Sequence, residues 1–326
     1  MKDEPRVTHS ASFRAMGTDI EIIGVGITEE EHAAGFKAAQ RLAEQWERTF
    51  SRFRPESELS RLNAAAGSSQ VISEVLYWMI EQALDAYYRT EGRFDPTILP
   101  ALIATGYDRD IDLVKSGEAT TSSATGRPSP GMDGIELDPE SLTITLPRDV
   151  QLDLGGIAKG AYVDRIALAL MTWPGGCVNA GGDLRVWGVP PDGDYWVTGI
   201  EHPLLREDDI ATVELRDLRA CAVATSAVNR RRWFSNSGER HHLIDPRTGE
   251  SATETIVSCT AFAGSAVEAE IATKSLFVAA AQQAPLDLIG AVASLMVDHN
   301  GKLTTLNGTA SDALTIFPAD AHRQSA

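Results

Sequence analysis

Four short segments of this chain bring together residue types that do chemistry. In LDLGGIAKG (Leu152 to Gly160) a short extended run meets the Gly155-Gly156 turn and then a helix begins. Glycines let backbone N–H groups approach a phosphate, and the new helix adds its positive dipole end. Lys159 adds a formal cation in the first turn, and Asp153 is placed to accept from an adenine amine or a ribose hydroxyl. The segment reads as a dinucleotide-gripping turn. It is neither a Walker loop, since no Ser or Thr follows the lysine, nor GxGxxG. Taken alone, it is equally a plain strand-to-helix turn with a solvated lysine.

The other three segments are comparably open. Asn179-Ala180-Gly181-Gly182-Asp183 sets two glycines in a strand-like run, which marks a bulge, a hairpin turn or a close backbone approach. In HHLIDPRTGE (His241 to Glu250), neighbouring side chains of an extended segment face opposite ways, so only one of His241 and His242 can look into a given pocket. Upstream, ATSAVNRRRWF offers Thr225, Ser226 and the basic cluster Arg230 to Arg232, which also suits a solvated hairpin face. In VEAEIATKSLFV, Glu270, Thr273 and Lys274 fall at i, i+3 and i+4 on one helical flank. They suit either an ordinary ion pair or an oxygen-ligand pole for a hard cation.

Much chemistry is excluded. The sequence has no HExxH, EF-hand loop, GxSxG elbow or CxxC, so zinc-hydrolase and serine-hydrolase readings have no local support. A net charge of −17 over 326 residues repels nucleic acid and anionic membranes. Cys177, Cys221 and Cys259 are odd in number and sit in apolar stretches, so they read as reduced core residues. No run approaches the roughly 20 apolar residues of a membrane helix. The N-terminal MKDEPRVTHSASF shows neither an apolar signal region nor a cysteine placed for lipidation. The expectation is no membrane insertion and a cytoplasmic location.

The elements that must position these residues follow from periodicity and caps. Residues 11–27 alternate as a strand broken at Gly17, and a helix follows from Thr28, with Glu31 completing a capping box. A short helix capped near Ser57 and a long one over about Ser73 to Thr90, stopped by Gly92, come next. The stretch GRFDPTILPALIATGYD reads as irregular, and residues 115–134 as a mobile surface loop by composition. Short strands are expected at Ile135–Leu137, Leu142–Leu146 and around 177–187, 195–200, 211–215, 221–225, 242–244 and 257–262. Helices are expected from near Gly156 and over about Ala266 to Ala281, and Asn300-Gly301 marks a hairpin. Helices come early and most later strands lack helices between them, which makes the fold α+β, in one domain over residues 1–326.

Taken in order, FRAMGT, SRFRPESELSRLN, GRFDPT, LDLGGIAKGAYVD, NAGGD, ATS, HHLIDPRTG and AEIATKSLFV resemble the FAD:protein FMN transferase (ApbE-like) family, with matches from about Phe13 to Val278. The resemblance implies mixed or antiparallel sheets flanked by helices, with FAD in a cleft between two lobes. It implies transfer of FMN from FAD to a Thr or Ser hydroxyl of an acceptor protein, with AMP released. By motif, Met16 and Phe53 would line the flavin cleft, and Phe94, Asp95, Pro96 and Ile244 would contact the dinucleotide. Asp153 and Lys159 would hold its adenosine and phosphate parts, and His242 would be the base or acid near the accepting hydroxyl. The Gly156 carbonyl and the Glu270 helix would face Mg²⁺, with Thr273 one residue away from the usual ligand position.

Here the chain departs from the family motif A-D-x-x-x-T, because Glu270 stands for the Asp and Lys274 for the Thr. A protonated lysine cannot ligate a cation, so the expectation is that Lys274 partly replaces the metal and leaves a weakened or altered magnesium site. Two alternatives to transfer stand beside it: a non-catalytic FAD-binding protein, for which Lys274 argues, and a Mg²⁺-dependent pyrophosphatase that splits FAD to FMN and AMP with water in the acceptor's place. Ser116-Gly117-Glu118-Ala119-Thr120 only loosely matches the S/T-G-A-S/T type of acceptor segment.

Overall fold

The computed structural model describes residues 6–109, 126–205, 208–235, 238–309 and 311–319. Its backbone is an antiparallel sheet of eight strands in the order Thr8–Ala15, Thr18–Val25, Gly175–Ala180, Asp183–Gly188, Ala222–Ala227, Ser258–Ala263, Ala291–Val297 and Leu303–Asn307. The helices among the described residues are α1 (Glu29–Phe50), α2 (Glu58–Ala64), α3 (Glu74–Arg89), α4 (Leu99–Ala104), α5 (Ala158–Leu170) and α6 (Ala266–Ala281). The α+β expectation holds. None of these helices is long and apolar enough to cross a membrane.

Local chemistry sets most boundaries as expected. The Thr28 hydroxyl accepts from the Glu31 amide while the Glu31 carboxylate accepts from the Thr28 amide, a complete capping box, and Ser57 and Ser73 cap α2 and α3. Gly92, at φ +75°, follows the end of α3. The break expected at Gly17 is a hairpin between two strands, where Met16 (φ +52°) and Gly17 (φ +70°) make a two-residue turn held by Glu47 Oε1 accepting from the Met16 amide at 2.7 Å. One expectation is corrected. The stretch read as irregular carries a 3₁₀ turn, Pro96–Ile98, running into α4, with Asp95 capping it through the Thr97 amide.

Of the supposed mobile loop, residues 126–134 are anchored at two points. Met132 is buried, and the Ser129 amide donates to the Pro246 carbonyl at 2.7 Å. The remainder of that stretch, with Ser116 to Thr120, lies outside the described residues.

Two apolar cores flank the sheet. One gathers Ile20, Trp46, Leu76 and Tyr162 beneath α1, α3 and α5. The other gathers Val213, Cys259, Phe277 and Leu295 between the sheet, α6 and a three-stranded sheet of Trp196–Glu201, Asp209–Leu215 and Leu314–Pro318. A cleft opens where residues of the two cores meet, and its lining includes Trp46 and Phe50 from the first and Leu243 from the second.

Candidate functional site

The cleft encloses about 710 Å³, within the usual range for a small-molecule site. Every residue expected to hold the dinucleotide borders it: Met16 and Phe53, Phe94 to Pro96, Asp153 and Lys159, and Ile244. Gly156, His242 and Lys274 border it too, but Glu270 and Thr273 do not.

The glycine turn is built by its own side chains. The Asp153 carboxylate folds back, with Oδ1 accepting from the Gly155 amide at 2.6 Å and Oδ2 from Arg52 Nε at 2.8 Å. Asp153 is therefore committed to the turn and to Arg52 rather than left free for a ligand. Arg52 is almost fully buried, its guanidinium 4.2 Å from the centre of the Phe53 ring and 4.4 Å from that of Tyr107, while its Nη2 has no partner. Tyr107 packs in turn on Trp233, and Ile244 backs both rings. Asp95 uses its carboxylate on Thr97, and burial raises its pKa. A Cβ at Gly156 would lie 3.3 Å from both Phe94 and the stem of Lys274, so the glycine admits that stem.

The charged centre lies between α5 and α6. Helix α6 is buried on nearly all sides, so a charge within it must be paired. Glu270 Oε2 accepts from the Gly160 amide at 2.7 Å. Its Oε1 accepts from Lys159 Nζ at 2.7 Å and from Lys274 Nζ at 3.4 Å. Burial works against the Glu270 charge, but Lys159 and Lys274 outweigh it and hold this carboxyl at about 2. Lys159 also donates to Asp183, and its two carboxylates overcome burial to raise its pKa. Burial, with the charge of Lys159, lowers the pKa of Lys274.

The strand expected at 242–244 is corrected: His241 ends the strand Gly238–His241, His242 lies in the bend after it, and Ile244 opens the next strand. His241 is buried with Nε2 at 3.0 Å from the Ala252 carbonyl, whereas His242 faces the cleft and its Nδ1 has no partner. Burial first, then the charges of Arg231, His241 and Lys274, push the His242 pKa well below its ordinary value. His242 is thus a neutral base at physiological pH.

As members of a magnesium pole, Glu270 and Thr273 are already engaged elsewhere. Thr273 is buried, its hydroxyl 2.9 Å from Ser226 Oγ and donating to the Glu270 carbonyl at 2.9 Å. Both Glu270 oxygens serve ammonium or amide donors. Among the described residues no cluster of three or more His, Cys, Asp or Glu could hold a metal ion. The donor set present does not fit Mg²⁺, which demands near-octahedral oxygens at about 2.0–2.1 Å.

Among the cleft residues with no place in the sequence-based set, Asp183 and Arg52 carry the most charge chemistry. Asp183 follows the Gly181-Gly182 turn (φ +67° and +100°) that joins two strands of the sheet, and that turn delivers its carboxylate to Lys159. The Gly-Gly-Asp order was the available signal. Arg52 carried none beyond its place beside Phe53.

The whole arrangement has known relatives. A family model described as the ApbE family matches residues 16–290. The FAD:protein FMN transferase of Vibrio cholerae is 30% identical over 264 residues, covering 76% of this chain and 77% of its own. That of Treponema pallidum is 32% identical over 269 residues, covering 76% and 72%. Among solved structures, the ApbE protein of Thermotoga maritima superposes with a TM-score of 0.78 at 24% identity, over 94% of this chain and 98% of that one. The flavin transferase ApbE from Vibrio cholerae gives 0.72 at 23%, over 95% and 100%. With most of its length inside the family match, and the cleft residues with it, this chain belongs to the ApbE family.

Proposed function

We propose that this protein is an FAD:protein FMN transferase, moving FMN from FAD to a Thr or Ser hydroxyl of an acceptor protein and releasing AMP. The observation that carries the reading is His242, a neutral imidazole with a free Nδ1, sharing one cleft with the lysines above Glu270. In the reaction the acceptor oxygen attacks the FMN phosphorus and its proton passes to His242. The bond from that phosphorus to the bridging oxygen breaks, and the electron pair leaves on AMP. A diphosphate repels a hydroxyl nucleophile, so cations beside the phosphorus lower the barrier. Lys274 supplies one, with Arg231 at the cleft wall, while Lys159 is held by Asp183 and Glu270.

The aromatic tier of Phe53 and Tyr107 suits a stacked ring, and Met16 and Trp46 border the same cleft. Arg52 Nη2 offers its unmet donor to the dinucleotide. The three buried free cysteines support a reducing, cytoplasmic setting.

The test is to incubate the protein with FAD and an acceptor domain presenting a Ser/Thr-Gly-Ala-Ser/Thr segment. Covalent flavin on that domain with equimolar AMP is the expected result. Free FMN and AMP point to hydrolysis, and unchanged FAD to a binding protein; either result overturns the reading.

A further inference from the structure

The four charged side chains between α5 and α6 pair among themselves without a metal. Glu270 and Asp183 bring two negative charges, and Lys159 and Lys274 bring two positive ones. A divalent ion would add two charges to this balanced cluster, within reach of an ammonium that already contacts Glu270. Both Glu270 oxygens are taken, and Thr273 is turned to Ser226.

The two lysines are not equivalent. Lys159 is held by Asp183 and Glu270 together, the latter at 2.7 Å. Lys274 has only the long 3.4 Å contacts to Glu270, its carbonyl and Oε1, while its stem rests against Gly156 and its side chain is 21% exposed. Lys159 is therefore an anchor, and Lys274 is the cation with little to lose by turning to a phosphate.

We propose that the Lys274 ammonium occupies the role of the divalent ion at the FAD diphosphate, so that this enzyme binds FAD and transfers FMN without Mg²⁺. The proposal rests on the transferase reading above. Lys274 keeps its proton throughout: it neutralises charge on the non-bridging oxygens while the acceptor's proton goes to His242 and the electron pair leaves with AMP. When FAD departs, the ammonium returns to Glu270.

The experiment measures FAD binding by calorimetry, and AMP release and acceptor flavinylation by chromatography and mass spectrometry, each in EDTA and in millimolar Mg²⁺. For the wild type, affinity and rate are expected to agree within about twofold between the two conditions. Lys274→Met, which keeps the stem against Gly156 but not the charge, should weaken FAD binding in EDTA by about ten- to a hundredfold, the loss of one charge-assisted contact. Lys274→Arg should retain most of the wild-type affinity, which guards against a folding artefact in the Met variant. Wild-type binding or turnover that collapses in EDTA and returns with Mg²⁺ overturns the proposal. So does Lys274→Met binding FAD as tightly as wild type. Tight, EDTA-indifferent FAD binding that depends on Lys274 but yields no AMP under either condition refutes the transferase reading and leaves the lysine clamp supported.

Discussion

The Gly160 amide donates to Glu270 Oε2 at 2.7 Å, so a carboxylate from α6 satisfies an N-terminal amide of α5. The same carboxylate faces both lysines, and one contact thereby ties helix packing to the charge of the site. A Cβ at Gly160 would lie 2.7 Å from the Ala266 carbonyl oxygen and 2.8 Å from Glu270 Oε2. Gly160→Ala is expected to push the helices apart and destabilise the fold by about 1–3 kcal/mol, despite alanine's better helix propensity. An unchanged urea midpoint would show that α5 and α6 separate freely.

Removing the anchor should cost more. Lys159→Met leaves Asp183 and Glu270 buried with Lys274 alone, a loss of about 3–5 kcal/mol for a broken buried pair. Adding Asp183→Asn to Lys159→Met should recover part of it. Double-mutant denaturation measures the recovery, and strictly additive losses would contradict the coupling.

The pH dependence of transfer has a defined sign. In the proposed reaction His242 takes the proton in its neutral form, and its pKa lies well below the ordinary 6.5 because of burial and Arg231. The rate should therefore stay flat from neutral pH down past 6.5 and fall only at more acidic values. His242→Ala should lower the rate by about 10²–10⁴ with FAD binding retained. An acidic limb at or above 6.5 would mean that another group is the base.

Acid stability reports on Glu270. Its carboxyl sits at about 2 in the fold against 4.5 ordinarily. A depressed carboxyl stabilises fully above its unfolded pKa, and that contribution drains away as the pH falls from about 4.5 towards 2. Glu270→Gln should flatten the stability curve over this window, as followed by thermal melts. A variant with the wild-type slope would place the acid sensitivity elsewhere.

Arg52 is the remaining cleft donor to be tested. Arg52→Met should keep the packing on Phe53 and Tyr107, release Asp153, and weaken FAD binding about tenfold. Fluorescence titration reads this directly, and unaltered affinity would confine Arg52 to holding the glycine turn.

Much of this fold is legible in the residues because its cues are local. Thr28, Ser57 and Ser73 cap their helices within three residues of chain, and Asn300-Gly301 turns its hairpin between neighbouring strands. What escaped depends on distant partners. Met16 takes a positive φ that no apolar residue advertises, and Glu47, from the next helix, holds it there. The short helix α4 hides behind its prolines. At the site, the cleft-lining residues were readable as motifs, but Asp153 looked free because its Arg52 partner lies about a hundred positions upstream. Thr273 looked available because nothing in a helical repeat reveals that Ser226 meets it.

The two adjacent histidines work as a vernier. One imidazole, at the end of a strand, is hydrogen-bonded to the Ala252 carbonyl, and the next, in the bend that follows, borders the cleft, so a single position of chain separates the two roles. A one-residue insertion or deletion between Arg232 and His241 would exchange the two, clamping the reactive ring and exposing the structural one. Natural variation in that hairpin should therefore keep its length, along with the Trp233 ring that packs on Tyr107.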